Sequence, residues 1–170
     1  RYMETWGMRA NGLVEPRKGS WEWGDWGKNV DMFALNNVWY YLALQGMREM
    51  AQSLNQPQDF AWIDARMQSI RAAFNPHFWN GKEYRSPDYK EQTDDRTNAL
   101  AVVAGLAQPE QHAAIIELLS KTEHASPYME KYVGEALCLL KRADLAQQRI
   151  ERRYKKMIDH PNYSCLLYTS

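Results

Sequence analysis

The apolar residues of this chain recur at steps of three and four, and this spacing restricts its fold more than any other feature. A step of three or four places side chains on one face of an α-helix. Alternation of apolar and polar residues, which indicates strands, is nearly absent. The sequence therefore predicts an all-α fold. The clearest apolar stripe runs from Asp31 to Leu54 and consists of Met32, Leu35, Trp39, Leu42, Gly46, Met50 and Leu54.

Turn residues divide the helical pattern into six segments. The first is predicted to begin at an Asp31 N-cap, and the fifth at Ser126-Pro127 with Glu130 nearby. Asn75-Pro76 is expected to end the second helix, because proline disrupts a helix interior. The third is apolar on every side and is expected to be buried all round. The predicted helices span residues 31–54, 57–75, 95–106, 109–121, 126–141 and 143–159.

The connections alternate between short and long. Short ones at 55–57, 107–109 and 142–144 follow the first helix of each pair, and longer segments precede it. Short connectors join antiparallel neighbours, so the pattern predicts three α-hairpins. The long segments then lie together at one end, and long loops usually carry function. In a toroid of inner and outer helices, the first helix of each pair would be the inner one.

Residues 20–27, SWEWGDWG, hold three tryptophans and two carboxylates just before the first helix. An indole face can stack on the C–H groups of a sugar ring. A neighbouring carboxylate can accept hydrogen bonds from sugar hydroxyls or transfer a proton at a glycosidic bond. A Trp-rich corner of the core with two solvated acids explains the same residues. The loop alone leaves both interpretations open.

Two further polar segments precede the third and fifth helices and should meet the tryptophan loop. They are residues 91–98, EQTDDRTN, and residues 122–132, TEHASPYMEKY. Their carboxylates have a second explanation, which is helix capping for Asp94 or Asp95 and a capping box for Glu130. His124 stands alone in its loop and could be a hydrogen-bonded spacer rather than a base.

Charge and composition argue against several classes of function. Lys+Arg and Asp+Glu both number 21, so the formal net charge is zero, which argues against a nucleic-acid binder. The longest apolar run, residues 99–107, is half the roughly 18 residues of a membrane span. No spacing typical of zinc ligands, a phosphate loop or a nucleophile elbow occurs, so we expect no metal and no cofactor. Cys138 is expected to be a small buried hydrophobe.

Several motifs follow one another along the chain: WGDW, AFNPHFWNG, QTDDRTNALAVVAGLA, TEHASPYMEKYVGEAL and RIERRYKKMIDHPNYS. Their order resembles the C-terminal half of the catalytic domain of bacterial α-L-rhamnosidases, which are glycosidases built on a six-hairpin (α/α)6 toroid. The resemblance covers nearly all of residues 12–164. It implies that the three hairpins form about half of the toroid.

The resemblance also implies an activity, which is inverting hydrolysis of terminal α-L-rhamnose from a carbohydrate substrate. The family's general acid lies N-terminal to WGDW, and its base follows the position of Tyr163-Ser164, so neither is expected in this chain. Asp25 and Glu130 are candidate supporting carboxylates, with Asp25 a ligand to rhamnose or an orienter of the acid. The implied substrate-binding residues are Trp21, Glu22, Trp23, Asp25, Trp26, Asp95, Arg96, His124, Tyr128 and Glu130.

The last six residues, CLLYTS, are similar to the translation of an adapter used for shotgun sequencing libraries. We therefore expect a partial six-hairpin domain over residues 1–164 and an adapter-derived tail over residues 165–170. The start at Arg1 without an initiator methionine fits this expectation. Such a chain is expected to be inactive alone and only marginally folded, since half a toroid leaves two flanks open.

Two alternatives remain from the sequence. One is another six-hairpin glycosidase, such as a glucuronyl hydrolase or a trehalase-like or glucosidase-like enzyme, because one fold serves many sugars. The other is a non-catalytic α-hairpin repeat that binds peptides. Against the repeat, the hairpins share no internal motif at the period of about 34 residues that tetratricopeptide arrays show.

Overall fold

The computed structural model describes residues 2–15 and 23–159 of the chain. Arg1, residues 16–22 and residues 160–170 lie outside this part, and with them the predicted tail and the candidate site residues Trp21 and Glu22. The described residues form six α-helices, which are α1 Met32–Ser53, α2 Phe60–Phe78, α3 Asp95–Val103, α4 His112–Lys121, α5 Pro127–Leu139 and α6 Ala143–Ile158. Short 3-10 turns occupy Tyr2–Thr5, Pro57–Asp59 and Pro109–Gln111.

Extended structure in the described residues amounts to two isolated bridges, Met8 with Val14 and Trp79 with Tyr84. The predicted all-α class is therefore confirmed. None of the described helices is long and apolar enough to cross a membrane.

The helices pack in consecutive pairs, and the first helices of the pairs form an inner row. α1 packs on α2, α3 on α4, and α5 on α6. α3 also packs against both α1 and α5, which puts it at the centre of the row α1–α3–α5. Every residue from Asp95 to Val102 is buried. The expectation of a helix buried all round is confirmed for α3, and its polar first turn is buried as well.

The start of α1 shows the predicted N-cap. The Oδ1 atom of Asp31 accepts a hydrogen bond from the Ala34 main-chain N–H at 3.3 Å. The side chain of Asp31 also accepts from both the N–H and the hydroxyl of Ser86, each at 2.5 Å. Asp31 therefore fixes the loop between α2 and α3 onto the start of α1.

Two predicted helix ends were wrong. α2 continues through Pro76 to Phe78, and the Trp79 N–H donates to Asn75 O at 3.0 Å. A proline in the last turn removes one hydrogen bond, and burial of Phe74 and Phe78 compensates for it. α3 ends at Val103 rather than Leu106, because Gly105 adopts a left-handed φ of 67° that closes the helix.

The prediction for Cys138 was also wrong, since this residue is exposed. The buried stripe of α5 is formed by Val133, Ala136 and Leu137. Cys138 follows Leu137 and is turned away from that stripe.

The central position of α3 predicts which apolar residues stabilise the fold. Leu100→Ala, at a fully buried site, should lower the free energy of unfolding by about 2–5 kcal/mol, because it removes buried methyl groups and leaves a cavity. Leu54→Ala is the matched control, since Leu54 is 70% exposed, and it should change stability by less than about 0.5 kcal/mol. Urea unfolding measures both, and equal midpoints for the two variants would contradict the placement of α3.

Candidate functional site

The three long segments meet at the end of the molecule where α1, α3 and α5 begin. The loop before α1 contacts the start of α3 through Asp25 and Arg96, whose Oδ2 and Nε atoms are 2.5 Å apart. It contacts the start of α5 through Asp25 and Ser126. The structure therefore brings the tryptophan loop and the two other segments together at one site.

Arg96 is the residue that binds these segments to one another. Its side chain is fully buried. Besides Asp25, its guanidinium contacts the carboxylate of Asp94 at 3.3 Å. It donates to main-chain oxygens of Trp26, Lys28, Asn29 and His124 in the surrounding loops. A buried guanidinium needs acceptors for all of its N–H groups, and the three segments supply them.

Asp25 lies under the loop rather than on its surface, with a fully buried side chain. Its Oδ2 atom accepts from the Ser126 N–H at 2.8 Å as well as from Arg96. Its Oδ1 atom accepts from the Ser126 hydroxyl. Both carboxylate oxygens therefore accept hydrogen bonds from protein donors.

Asp94 caps α3, as one interpretation of the sequence proposed. Its Oδ1 atom accepts from the Arg96 N–H at 3.1 Å. Its Oδ2 atom accepts from the Thr97 hydroxyl at 2.8 Å and from the Asp31 N–H at 3.0 Å. Burial raises the pKa of Asp94 above its usual value, although the hydrogen bonds from Thr97 and Asp31 oppose this. Asp94 thus joins the starts of α1 and α3.

A second buried arginine, Arg149, extends from α6 toward the starts of α3 and α5. Only 1% of its side chain is exposed. It contacts Asp95 at 2.7 Å and Glu130 at 2.6 Å. Burial alone would lower the pKa of Arg149, but the bonds to Glu130 and Asp95 outweigh it and raise the pKa above its ordinary value. Arg149 therefore fastens α6 to α3 and α5.

Glu130 is held from two sides and does not act in a capping box. It accepts from Arg149 and from Arg153, and Arg153 also donates to Ala125 O at 2.6 Å. The Ser126 side chain makes no capping bond, since its hydroxyl is directed to Asp25. Glu130 and Asp95 are thus buried partners of arginines rather than exposed ligands.

Above this buried layer lies a group of rings, the aromatic cluster, which we define as the exposed Trp23, Trp26 and Tyr128 and the half-buried Tyr132. Trp26 is 58% exposed and Tyr128 is 50% exposed. The Trp23 ring centroid lies 5.6 Å from that of Trp26 and 5.6 Å from that of Tyr128. Tyr132 continues the row at 6.3 Å from Tyr128. Burial raises the pKa of Tyr128, as do the neighbouring Tyr132 and Asp25.

His124 contacts the buried layer mainly through its main chain. Its N–H donates to Asp95 Oδ2 at 3.1 Å, and its carbonyl accepts from Arg96. Its Nδ1 atom is 3.4 Å from Asn29 Nδ2. The spacer interpretation of His124 therefore accounts for these contacts.

Arg149, Arg153 and the pairing of Ser126 with Asp25 were not predicted as parts of the site. Arg149 lies in a run of charged residues, where solvent exposure is the usual expectation, yet its side chain is buried and the neighbouring Ile150 is 47% exposed. One signal was available, because Arg149 and Arg153 follow the buried Ala146 at helical steps of three and four. Among the described residues, no group of three or more His, Cys, Asp or Glu side chains is placed to hold a metal ion.

Comparison with known proteins gives consistent results. The model of the bacterial alpha-L-rhamnosidase 6 hairpin glycosidase domain matches residues 1–154. The GH78 family rhamnosidase of Bacillus sp. GL1 matches 93% of the chain with a TM-score of 0.76 and 23% identity. The rhamnosidase from Klebsiella oxytoca, solved with rhamnose bound, matches 89% with a TM-score of 0.76 and 22% identity. The chain spans 18% and 30% of these two proteins. No curated protein sequence matches it.

The Arg149 contacts predict a large effect from a single substitution. Arg149→Ala should lower the free energy of unfolding by about 3–5 kcal/mol, because it leaves Asp95 buried without its paired cation and removes one of the two arginines that contact Glu130. Arg152→Ala is the control on the same helix. Arg152 pairs with Glu123, but its side chain is 51% exposed, so its loss should cost about 1 kcal/mol or less. Denaturant unfolding of both variants measures the difference, and similar losses would contradict the buried assignment.

Proposed function

Because the chain belongs to the family of bacterial α-L-rhamnosidase six-hairpin glycosidase domains, we propose that it supplies walls of the sugar-binding site in an inverting glycoside hydrolase. The proposed reaction releases terminal α-L-rhamnose, with one carboxylic acid protonating the leaving oxygen and one carboxylate activating water. The observation that carries this proposal is the exposed aromatic cluster at the meeting point of the three long segments.

The rings of the cluster offer what a sugar requires of a protein surface. A pyranose presents C–H groups on its faces and hydroxyls around its edge. The indole of Trp26 is exposed beside Trp23 and Tyr128, so a ring face is open to stacking. Tyr128 adds a hydroxyl that can donate or accept a hydrogen bond. Stacking on the indole would contribute binding affinity, and a hydrogen bond with the Tyr128 hydroxyl would orient the sugar.

Burial of the carboxylates supports separate roles within this proposal, with some residues positioning the rings and others transferring protons. A general acid or base must reach the glycosidic oxygen or the attacking water. Asp25, Asp95 and Glu130 are instead buried and bound to arginines. We therefore assign Asp25 and Glu130 to positioning the aromatic cluster, and the acid and base to residues outside this chain. Under this proposal the 170-residue chain binds sugar without hydrolysing it.

The stacking role of Trp26 can be tested by binding. Trp26→Ala should weaken the affinity for methyl α-L-rhamnopyranoside about threefold to tenfold, since loss of one aromatic stacking partner costs about 0.5–1.5 kcal/mol. Tyr2→Ala is the control, because Tyr2 is an equally exposed ring that packs on Trp6 rather than on the cluster. Titration followed by indole N–H signals in NMR spectra measures both affinities. Unchanged affinity in the Trp26 variant would refute the stacking role of the aromatic cluster.

A further inference from the structure

A concave site lies between the start of α1, the end of α2 and the loop that follows α2. We call it the Phe33 cleft and define it by Arg9, Phe33, His77, Asp88 and Tyr89. Its volume is about 510 Å³, within the range of small-molecule sites. A neighbouring cavity of about 480 Å³ shares His77 and Tyr89 with it. The two form one groove along the long-loop end of the molecule.

The walls of the cleft are held by bonds that do not involve a ligand. Asp31 binds the N–H and the hydroxyl of Ser86 from beneath, which fixes the segment carrying Asp88 and Tyr89. The Tyr89 hydroxyl donates to Gln92 O at 3.0 Å. On the other wall, the Arg9 N–H donates to Leu13 O at 2.7 Å within a tight turn. The cleft is therefore preorganised, which reduces the entropic cost of binding.

The polar groups that face the cleft are available to a ligand. The Arg9 guanidinium lies 4.1 Å above the Phe33 ring, and the His77 ring meets Phe33 edge-on at 5.7 Å. Within the described part of the chain, neither the Arg9 nor the His77 side chain has a hydrogen-bond partner. The exposed carboxylate of Asp88 has none there either. The cleft thus presents donors, an acceptor and aromatic walls together.

The balance of charge selects the class of ligand. Arg9 and Asp88 carry opposite charges at the rim, and Asp31 is buried with its carboxylate bonded to Ser86 and Ala34. In the adjoining cavity, Arg85 is paired with Glu83 at 2.7 Å, and the ammonium of Lys90 donates to Pro87 O at 2.8 Å. An anion would meet Asp88 and a cation would meet Arg9, whereas a neutral polyhydroxylated ring can bond to both. Planar polar side chains beside aromatic rings suit a sugar.

We propose that the Phe33 cleft is a second carbohydrate site, separate from the aromatic cluster, which binds a neutral pyranose of the same glycan. Arg9 and His77 donate hydrogen bonds to its hydroxyls, Asp88 accepts one, and Tyr89 packs against its face. The proposal rests on the proposed function for the class of ligand, because a glycan-processing domain meets glycans with more than one sugar.

The test is an NMR titration of the ¹⁵N-labelled chain with rutinose, a neutral disaccharide of rhamnose and glucose. We expect saturable shifts of the amides around Phe33, His77 and Asp88. Arg9→Ala and Asp88→Asn should each weaken this binding about threefold to tenfold, as expected for losing one charged hydrogen-bond partner. Arg48→Ala is the matched control, because Arg48 also stacks on an aromatic ring, Phe60 at 3.6 Å, but lies outside the cleft. It should leave the affinity unchanged.

The outcomes separate this proposal from the proposed function. Absence of saturable shifts at the cleft, or equal affinity in the Arg9 and Asp88 variants, overturns the second site. Inorganic phosphate that produces the same shifts also overturns it, since the cleft would then be an anion site. Signals of Trp23 and Trp26 report the aromatic cluster independently. Shifts at the cleft without shifts at those indoles would support the second site and count against the proposed function.

Discussion

The buried guanidinium of Arg96 is the constraint on which the rest of the site depends. A charge taken out of water must be compensated by opposite charge and by hydrogen bonds. No single segment provides enough of them, so Asp25, Asp94 and the carbonyls of two loops converge on one side chain. The positions of Trp23, Trp26 and Tyr128 follow from that convergence. A substitution of Arg96 would therefore alter the positions of all three segments.

The site has two layers with different chemistry. The lower layer contains carboxylates bound to Arg96 and Arg149, and the upper layer contains exposed rings. The same carboxylates, read from the sequence alone, fit either sugar binding or helix support. Burial favours support, since the side chains of Asp25, Asp95 and Glu130 are buried and each contacts an arginine. The proposed function therefore assigns recognition to the rings and positioning to the carboxylates.

Much of the fold could be predicted, because helix formation depends on residues that are close together in the sequence. The steps of three and four gave the six helices, and the alternation of short and long connectors placed the functional segments at one end. The failures were also local. At Pro76, the burial of Phe78 outweighed the helix-breaking tendency of proline, and Cys138 fell just outside the stripe its neighbours suggested. The first error concerns whether proline ends a helix or burial of a neighbouring ring extends it, and the second concerns which face of α5 a residue occupies.

The pairings within the site could not be predicted in the same way. Asp25 and Ser126 are separated by 101 residues, and Asp95 and Arg149 by 54. No spacing rule connects such positions, and an arginine in a charged helix usually faces solvent. The resemblance to rhamnosidases predicted Arg96, Asp95 and Glu130 as substrate-binding residues, and it did not predict that they are buried. The partners of these residues emerge only when the helices are packed.

The most direct test of this account is a double-mutant cycle between Asp25 and Arg96. The free energies of unfolding of Asp25→Asn, Arg96→Lys and the double variant are compared with that of the parent chain. If the two side chains form the buried contact described above, the effects should be non-additive, with a coupling energy of about 1–3 kcal/mol. Effects that add to within about 0.5 kcal/mol would show that the residues act independently and would contradict the central role of Arg96.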